Sequence, residues 1–196
     1  MTLRELISVI REDYRTNGGD WTRPGFRALA VYRFGVWRVT QPKLIRFPAF
    51  FVYRMLYRLV RNLYGIELAY STKIGRRFLI GHQSGIVIHP FAHIGDDCVI
   101  RQNVTIGATR SDRFGEAPKL GCGVEVGAGA VIAGGVEIGD HARIGPNVVI
   151  MRDVPAGAIV MVRPPQLISV PGEMPPPAAT SGPLPDPPAG AGRTKE

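Results

Sequence analysis

The chain has little of what several protein classes require. Two cysteines among 196 residues cannot build a disulfide framework. Neither Cys98 nor Cys122 stands in a CxxC or paired-histidine spacing that would hold zinc, so no metal site is expected and a reducing cytoplasm is the expected setting. Long apolar runs are missing. Near residue 50 the longest uncharged stretch, from Phe47 to Tyr53, falls far short of the roughly 20 residues a membrane span needs. Arg4 and Glu5 stand where a signal peptide would begin its apolar core, so export is not expected either. The sequence also contains no GxSxG, no Walker loop, no HExxH and no dinucleotide fingerprint. Covalent hydrolysis, nucleotide hydrolysis and zinc chemistry therefore lack support.

What is present divides into three regions. The formal net charge is +8, and all of it lies in residues 1–65, which hold 12 Lys and Arg against 4 Asp and Glu; the remainder is balanced. This first region is rich in Arg, Leu and aromatics, and no nucleic-acid partner is expected. Residues 66–168 are rich in Ile, Val and Gly. The tail, 169–196, is dense in proline. It has too little apolar surface to offset its ordering entropy and is expected to be disordered.

The middle region repeats with a period of six. Ile94, Ile100, Ile106, Leu120, Val126, Ile132, Ile138, Ile144 and Ile150 are all aliphatic, an outcome with a chance on the order of 10⁻⁵ if about a quarter of positions are aliphatic. Glycine follows at Gly95, Gly107, Gly121, Gly127, Gly139 and Gly145, where a sharp corner would leave no room for a side chain. The fourth residue on is small or aliphatic, from Cys98 and Val104 to Val148 and Val154, so each hexad buries two side chains. A hexad is too short for a helix pair or a propeller blade. The physical solution is a short strand and a turn, coiled so that each rung pairs with the next: a parallel β-solenoid. The phase breaks twice. The step from Ile106 to Leu120 is more than twice the period, so part of GATRSDRFGEAPK leaves the coil as a loop. The step from Ile80 to Ile88 exceeds the period by two, an irregularity at GHQSG (81–85). Loops on a rigid scaffold commonly carry function.

Residues 1–65 read as helical. Leu3, Leu6, Ile7, Ile10 and Tyr14 share a face, NGGDWTRPG interrupts, and FRALAVYRFGVW resumes. From Phe47 onward Phe51, Met55, Leu59 and Leu63 form an apolar stripe, with Arg54, Arg58 and Arg61 expected opposite. Such a helix suits packing within an oligomer or peripheral contact with anionic lipid. Of the four histidines, His93 and His141 fall at outward positions of regular coils and His89 begins a turn before Pro90. His82 differs because it sits at the phase break between glycines, and a neutral imidazole can take a proton from a hydroxyl.

These segments carry a resemblance. The run from IELAYSTKIGRRFLIGHQSGIVI through IGDDCVIRQNVTIG, APKLGCGVEVGAGAVIAGGVEIGDHARIG and VVIMRDVPAGA, preceded by GFRALAVYRFGVW, resembles the serine acetyltransferase family of left-handed β-helix acyltransferases over roughly residues 10–168. The resemblance implies a mainly β fold, a left-handed parallel β-helix after a short helical region. It also implies acetyl transfer from acetyl-CoA to a hydroxyl, in a homotrimer or dimer of trimers. The family's general-base histidine, in a DHxTG segment, corresponds to His82; the carboxylate that orients it, an Asp in VDIHP, corresponds to Glu67. By the same similarity coenzyme A would lie against Gly107, Ala108, Ala128 and Gly129, with Arg143 where the family usually has a lysine able to meet a phosphate.

The departures concern the acceptor. Glu116, Ala117, Pro118 and Lys119 stand where the family has Arg-His-Pro-Lys, and Gly81 replaces the Asp before the catalytic histidine. In the family those residues hold the amino acid, and a site lacking them would leave serine's charged groups poorly paired. A sugar hydroxyl of a polysaccharide or its precursor is therefore the expected acceptor. Serine O-acetylation for cysteine biosynthesis is the first alternative, and a catalytically silent scaffold is the second. The family ending GVPAR is replaced by VRPPQ at 162–166.

Overall fold

The computed structural model describes residues 1–163 except 111, 113 and 114; the proline-rich segment and most of the VRPPQ ending lie outside the described residues. Three helices open the chain: α1 (Leu3–Thr16), α2 (Pro24–Val39) and α3 (Lys43–Tyr64). Thr2 and Glu5 close a reciprocal cap on α1, each accepting the other's backbone N–H. Pro24 opens α2, and Gly65 ends α3 in the left-handed conformation. Helix α3 starts before the apolar stripe, at Lys43, and carries Pro48 within it.

Fourteen short strands follow, β1 (Ile66–Leu68), β2 (Lys73–Ile74), β3 (Leu79–Ile80), β4 (Ile86–Ile88), β5 (His93–Ile94), β6 (Val99–Ile100), β7 (Thr105–Gly107), β8 (Lys119–Leu120), β9 (Glu125–Val126), β10 (Val131–Ala133), β11 (Glu137–Ile138), β12 (Arg143–Ile144), β13 (Val149–Ile150) and β14 (Ile159–Val160). They form three parallel sheets in the orders β1-β4-β7-β10-β13, β11-β8-β5-β2 and β14-β12-β9-β6-β3. Through β10 each strand pairs with the one three later, so the chain coils as a three-sided parallel β-helix, the architecture its hexad predicts. Ile66, Ile86, Ile88, Ile100, Ile106, Ile132 and Ile138 are buried in a continuous core, with Cys98, Val104, Val124, Ala130 and Ala142 at the corners. A side chain at Gly95 would put its Cβ 2.5 Å from the Gly121 carbonyl oxygen of the next coil; the glycine period reflects that close approach.

The register locates both phase breaks. Ile80 pairs with Ile100 and Ile88 with Ile106, so the corner at 81–85 is two residues longer than the corner one coil above. Ser84 and Gly85 absorb them with positive φ. Strand β7 ends at Gly107 and β8 begins at Lys119, which places the extruded loop between them.

A solenoid leaves an open strand edge at its first coil. Here the helices supply the missing partners through side chains. Tyr32 donates its hydroxyl to the Thr72 carbonyl and accepts from the Ile74 amide. The Asn17 amide group donates to the Phe78 carbonyl and accepts from the Ile80 N–H. Arg33 donates to the carbonyls of Ile74 at 3.0 Å and Gly75 at 2.5 Å, while its Nε donates to buried Asp13 at 2.8 Å. The basic first region is thus not simply a charged surface, since Arg33 and Arg38 are buried in it.

The stripe on α3 corrects an expectation. Its buried residues are Ala49, Tyr53 and Val60, packed toward the rest of the fold, whereas Phe47, Phe51, Met55, Leu59 and Leu63 are exposed. At about 100° per residue, Arg54 and Arg58 lie beside that stripe rather than opposite it.

Both cysteines are free thiols; Cys98 is buried and Cys122 exposed. Burial pushes the Cys98 thiol up to about 11, and its sulfur lies 3.1 Å from the Gly121 carbonyl oxygen. A disulfide-exchange thiol reagent at about pH 8 is expected to titrate one thiol per native chain and two after denaturation. Rapid reaction of both in the native state would contradict an inward Cys98.

Candidate active site

The expanded corner at 81–85 joins the sheet that contains β3 to the sheet that contains β4. It places His82 outside the core, exposed, and the ring forms no hydrogen bond among the described residues. With Ile80, Gly81 and Gln83 it borders a cleft closed on the other side by Arg23, Pro24 and Gly25 at the start of α2. Gly25 sets the depth of that junction, because a Cβ there would come 2.6 Å from the Ile80 carbonyl oxygen. Sequence reading missed Arg23 and Gln83 as cleft residues. The solenoid period says nothing of where α2 docks, and only the glycine at 25 hints at a close approach.

Glu67 is the outward residue of β1 and pairs in register with Val87. The single chain does not join it to His82 by a hydrogen bond, contrary to the expected pairing. The reason is geometric: strand alternation points Glu67 outward from the first rung, where α3 runs alongside. Tyr57 of α3 feels it there; burial pushes the phenol up and the nearby Glu67 carboxylate adds to the shift.

The five residues expected against coenzyme A fall into two groups. Gly107 and Ala108 end β7, where the chain leaves the coil for the loop. Ala128 and Gly129 lie in a corner of the same kind as His82's, two coils later, and Arg143 is on β12, exposed and 3.7 Å from Glu125. In one chain Gly107 and Ala108 stand at one end of the sheet that holds β4 and β7 and Ala128 and Gly129 at the other, while Arg143 is on the sheet that holds β12. The structure does not bring them together. The glycines also differ in what requires them. Gly129 has φ +72° and a Cβ there would collide with Asn147, so the fold accounts for it. At Gly107 an added Cβ would meet, among the described residues, only the Thr105 methyl, 4.0 Å away. Backbone geometry does not demand a glycine there, and a bare strand end suits close approach of a ligand.

Lys119, the first residue of β8, is engaged by Glu137 at 2.8 Å, and in the loop before it Glu116 lies against Gly135, whose added Cβ would be 3.6 Å from the Glu116 Cβ. Ala117 supplies no polar group. At Gly81 an added Cβ would meet nothing among the described residues closer than the Ile100 carbonyl oxygen at 3.5 Å, so packing against the next coil does not require a glycine there. The other histidines play structural or surface parts. His89 is buried, its Nδ1 accepting from the Phe91 amide, and burial draws its imidazole below the usual range. His93 lies between Lys73 and Lys119 in the ladder; partial burial and then those two cations draw it down. His141 occupies a corner with positive φ. Among the described residues no cluster of His, Cys, Asp or Glu could hold a metal ion.

Known families and proteins match this chain over its repeat region. Residues 71–108 match the hexapeptide repeat of succinyl-transferase and residues 117–152 the bacterial transferase hexapeptide (six repeats), the gap falling on the extruded loop. Serine acetyltransferase of Helicobacter pylori strain J99 is 39% identical over 135 residues, covering 69% of this chain and 75% of that protein. Serine acetyltransferase of Synechococcus elongatus is 38% identical over 145 residues, 74% of this chain; the match spans only 57% of that longer protein. The structure of soybean serine acetyltransferase complexed with serine superposes with a TM-score of 0.69 at 28% identity, covering 84% of this chain and 70% of that one. Repeat, loop position, helical cap and these relatives agree: the chain belongs to the serine acetyltransferase family of hexapeptide-repeat acyltransferases.

Proposed function

We propose that the protein transfers the acetyl group of acetyl-CoA to a hydroxyl, with serine as the acceptor. The observation that carries the reading is the position of His82. It stands exposed in an enlarged corner, beside a cleft, in a chain whose relatives are named serine acetyltransferases. The imidazole takes the acceptor proton as the hydroxyl oxygen attacks the thioester carbon. The C–S bond then breaks, and the departing thiolate recovers the proton from the imidazolium. No acyl-enzyme is needed, because the hydroxyl attacks the thioester directly. Glu67, which the single chain does not hydrogen-bond to His82, serves in this reading to stabilise the imidazolium through its charge. Gly107, Ala108, Ala128, Gly129 and Arg143 line the path of coenzyme A.

A trimer fits this reading. The loop corner and the His82 corner are separated by one sheet width in a single chain, and threefold packing of the coils would set one chain's loop beside the next chain's His82. The acceptor preference follows the relatives, and the soybean enzyme was crystallised with serine. This favours serine over the sugar suggested by the loop. One specific observation keeps the sugar as a second reading: Gly81, Glu116 and Ala117 replace the groups that in the family hold the amino acid.

Thiol release from acetyl-CoA, measured with serine and with a panel of small sugars, tests the proposal. Turnover with serine is expected. Turnover with sugars alone would overturn the serine assignment, and none with any acceptor would reduce the protein to a scaffold.

A further inference from the structure

We infer that the outward face of α3 is a docking surface for an anionic lipid bilayer, on which the helix lies flat. The face is apolar and uncovered: Leu44 is 88%, Phe47 70%, Phe51 57%, Met55 57% and Leu63 66% exposed. On the helical wheel these side chains sweep an arc centred opposite buried Ala49, Tyr53 and Val60. Lys43, Arg54 and Arg61 border one side of that arc, Arg58 falls within it between Phe47 and Phe51 on the wheel, and α3 contains no acidic residue. An apolar face flanked by cations is the arrangement of a helix that buries one side among acyl chains and sets its charges at the headgroups. No helix among the described residues is long and apolar enough to cross a membrane, so the contact is at the surface.

Charge decides between a lipid surface and a second copy of the same face. Two α3 helices packed face to face would bring Arg54 and Arg58 of each near those of the other with no carboxylate on either helix to pair them. The acids of segment 1–65 are already engaged. Glu5 closes the α1 cap, Glu12 pairs with Arg76 and Arg77, Asp13 with Arg33, and Asp20 accepts from Thr22. The region's +8 therefore has no internal complement, and an anionic surface meets both the charge and the apolar area.

Co-sedimentation of the full chain with phosphatidylcholine vesicles, with and without phosphatidylglycerol at three parts in ten, tests this. Binding is expected only to the anionic vesicles, weakening as salt rises. The Arg54→Gln/Arg58→Gln variant should lower partitioning about thirtyfold, about 1 kcal/mol for each charge removed. The Phe51→Ser/Met55→Ser variant should also release the protein, with an unchanged unfolding midpoint because both side chains are at the surface. Three results would overturn the inference: equal binding to neutral and anionic vesicles, no binding of the wild-type chain to either, or an assembly in solution that Phe51→Ser/Met55→Ser dissolves while vesicles recruit nothing.

Discussion

Replacing Arg33 with methionine is expected to destabilise the fold by about 3–5 kcal/mol, the cost of leaving a buried charge without its partner. Asp13 is fully buried and Arg33 nearly so. The guanidinium also satisfies the carbonyls of Ile74 and Gly75 on the open first coil, so the substitution orphans three acceptors at once. Burial already holds the Asp13 carboxyl above the usual range, with Arg33 opposing the shift. A carboxyl raised in the folded state binds protons that the unfolded state releases, so its ionisation costs stability as pH rises and that cost is relieved as pH falls. Without Arg33 the shift grows. The difference in stability between wild type and Arg33→Met should therefore be largest near neutral pH and shrink on acidification. Denaturant unfolding at two pH values checks the sign. The double variant Asp13→Leu/Arg33→Met should recover much of the loss, since it removes the charge along with its partner.

The solenoid is legible in the sequence because its physics is periodic. Every coil must turn three corners and fill one core, so Ile100, Ile106 and Ile132 recur at fixed phase and the glycine after the inward residue marks where successive coils touch. The two phase breaks are legible for the same reason. A departure from strict period has no cause in the coil itself, and both are real corners, at 81–85 and between Gly107 and Lys119. The helical cap is less legible. Amphipathicity identifies α1 and α3 as helices, but the stripe on α3 suggests a packed face where the burial falls instead on Ala49, Tyr53 and Val60. A small residue, a polar-tipped aromatic and a valine do not announce a buried face. Tyr53 is buried because Gly35 of α2 lets its ring approach to a distance no side chain would permit. The contacts that join cap to coil, through Asn17, Tyr32 and Arg33, link residues forty or more positions apart and follow no local pattern.

The candidate site is legible only in part, again for identifiable reasons. His82 stands out because it interrupts the period. Glu67 follows only from correspondence with the family, and in the single chain it lies by Tyr57 instead of meeting the imidazole. Gly107 and Gly129 look alike in sequence, yet only Gly129 is demanded by its backbone. Local sequence cannot show which corners meet, because the corners that carry the loop and His82 lie at opposite ends of one sheet.

If His82 is the base, removing it leaves substrate binding and removes proton transfer. His82→Asn should therefore lower kcat and kcat/KM together, by about 100-fold or more. The KM for acetyl-CoA should hold. The side chain is exposed and makes no hydrogen bond among the described residues, so the variant should unfold at the wild-type midpoint. That separates this loss from one caused by damage to the coil. Gly107→Val should act differently, raising the KM for acetyl-CoA with little effect on stability, since the position has room for a side chain in the fold but none is expected beside a bound pantetheine arm. The most direct test of the account is kcat/KM for serine-dependent release of coenzyme A by wild type and His82→Asn at saturating acetyl-CoA. A loss of about two orders of magnitude or more in a variant that remains folded is predicted; a folded variant within a few-fold of wild type would contradict it.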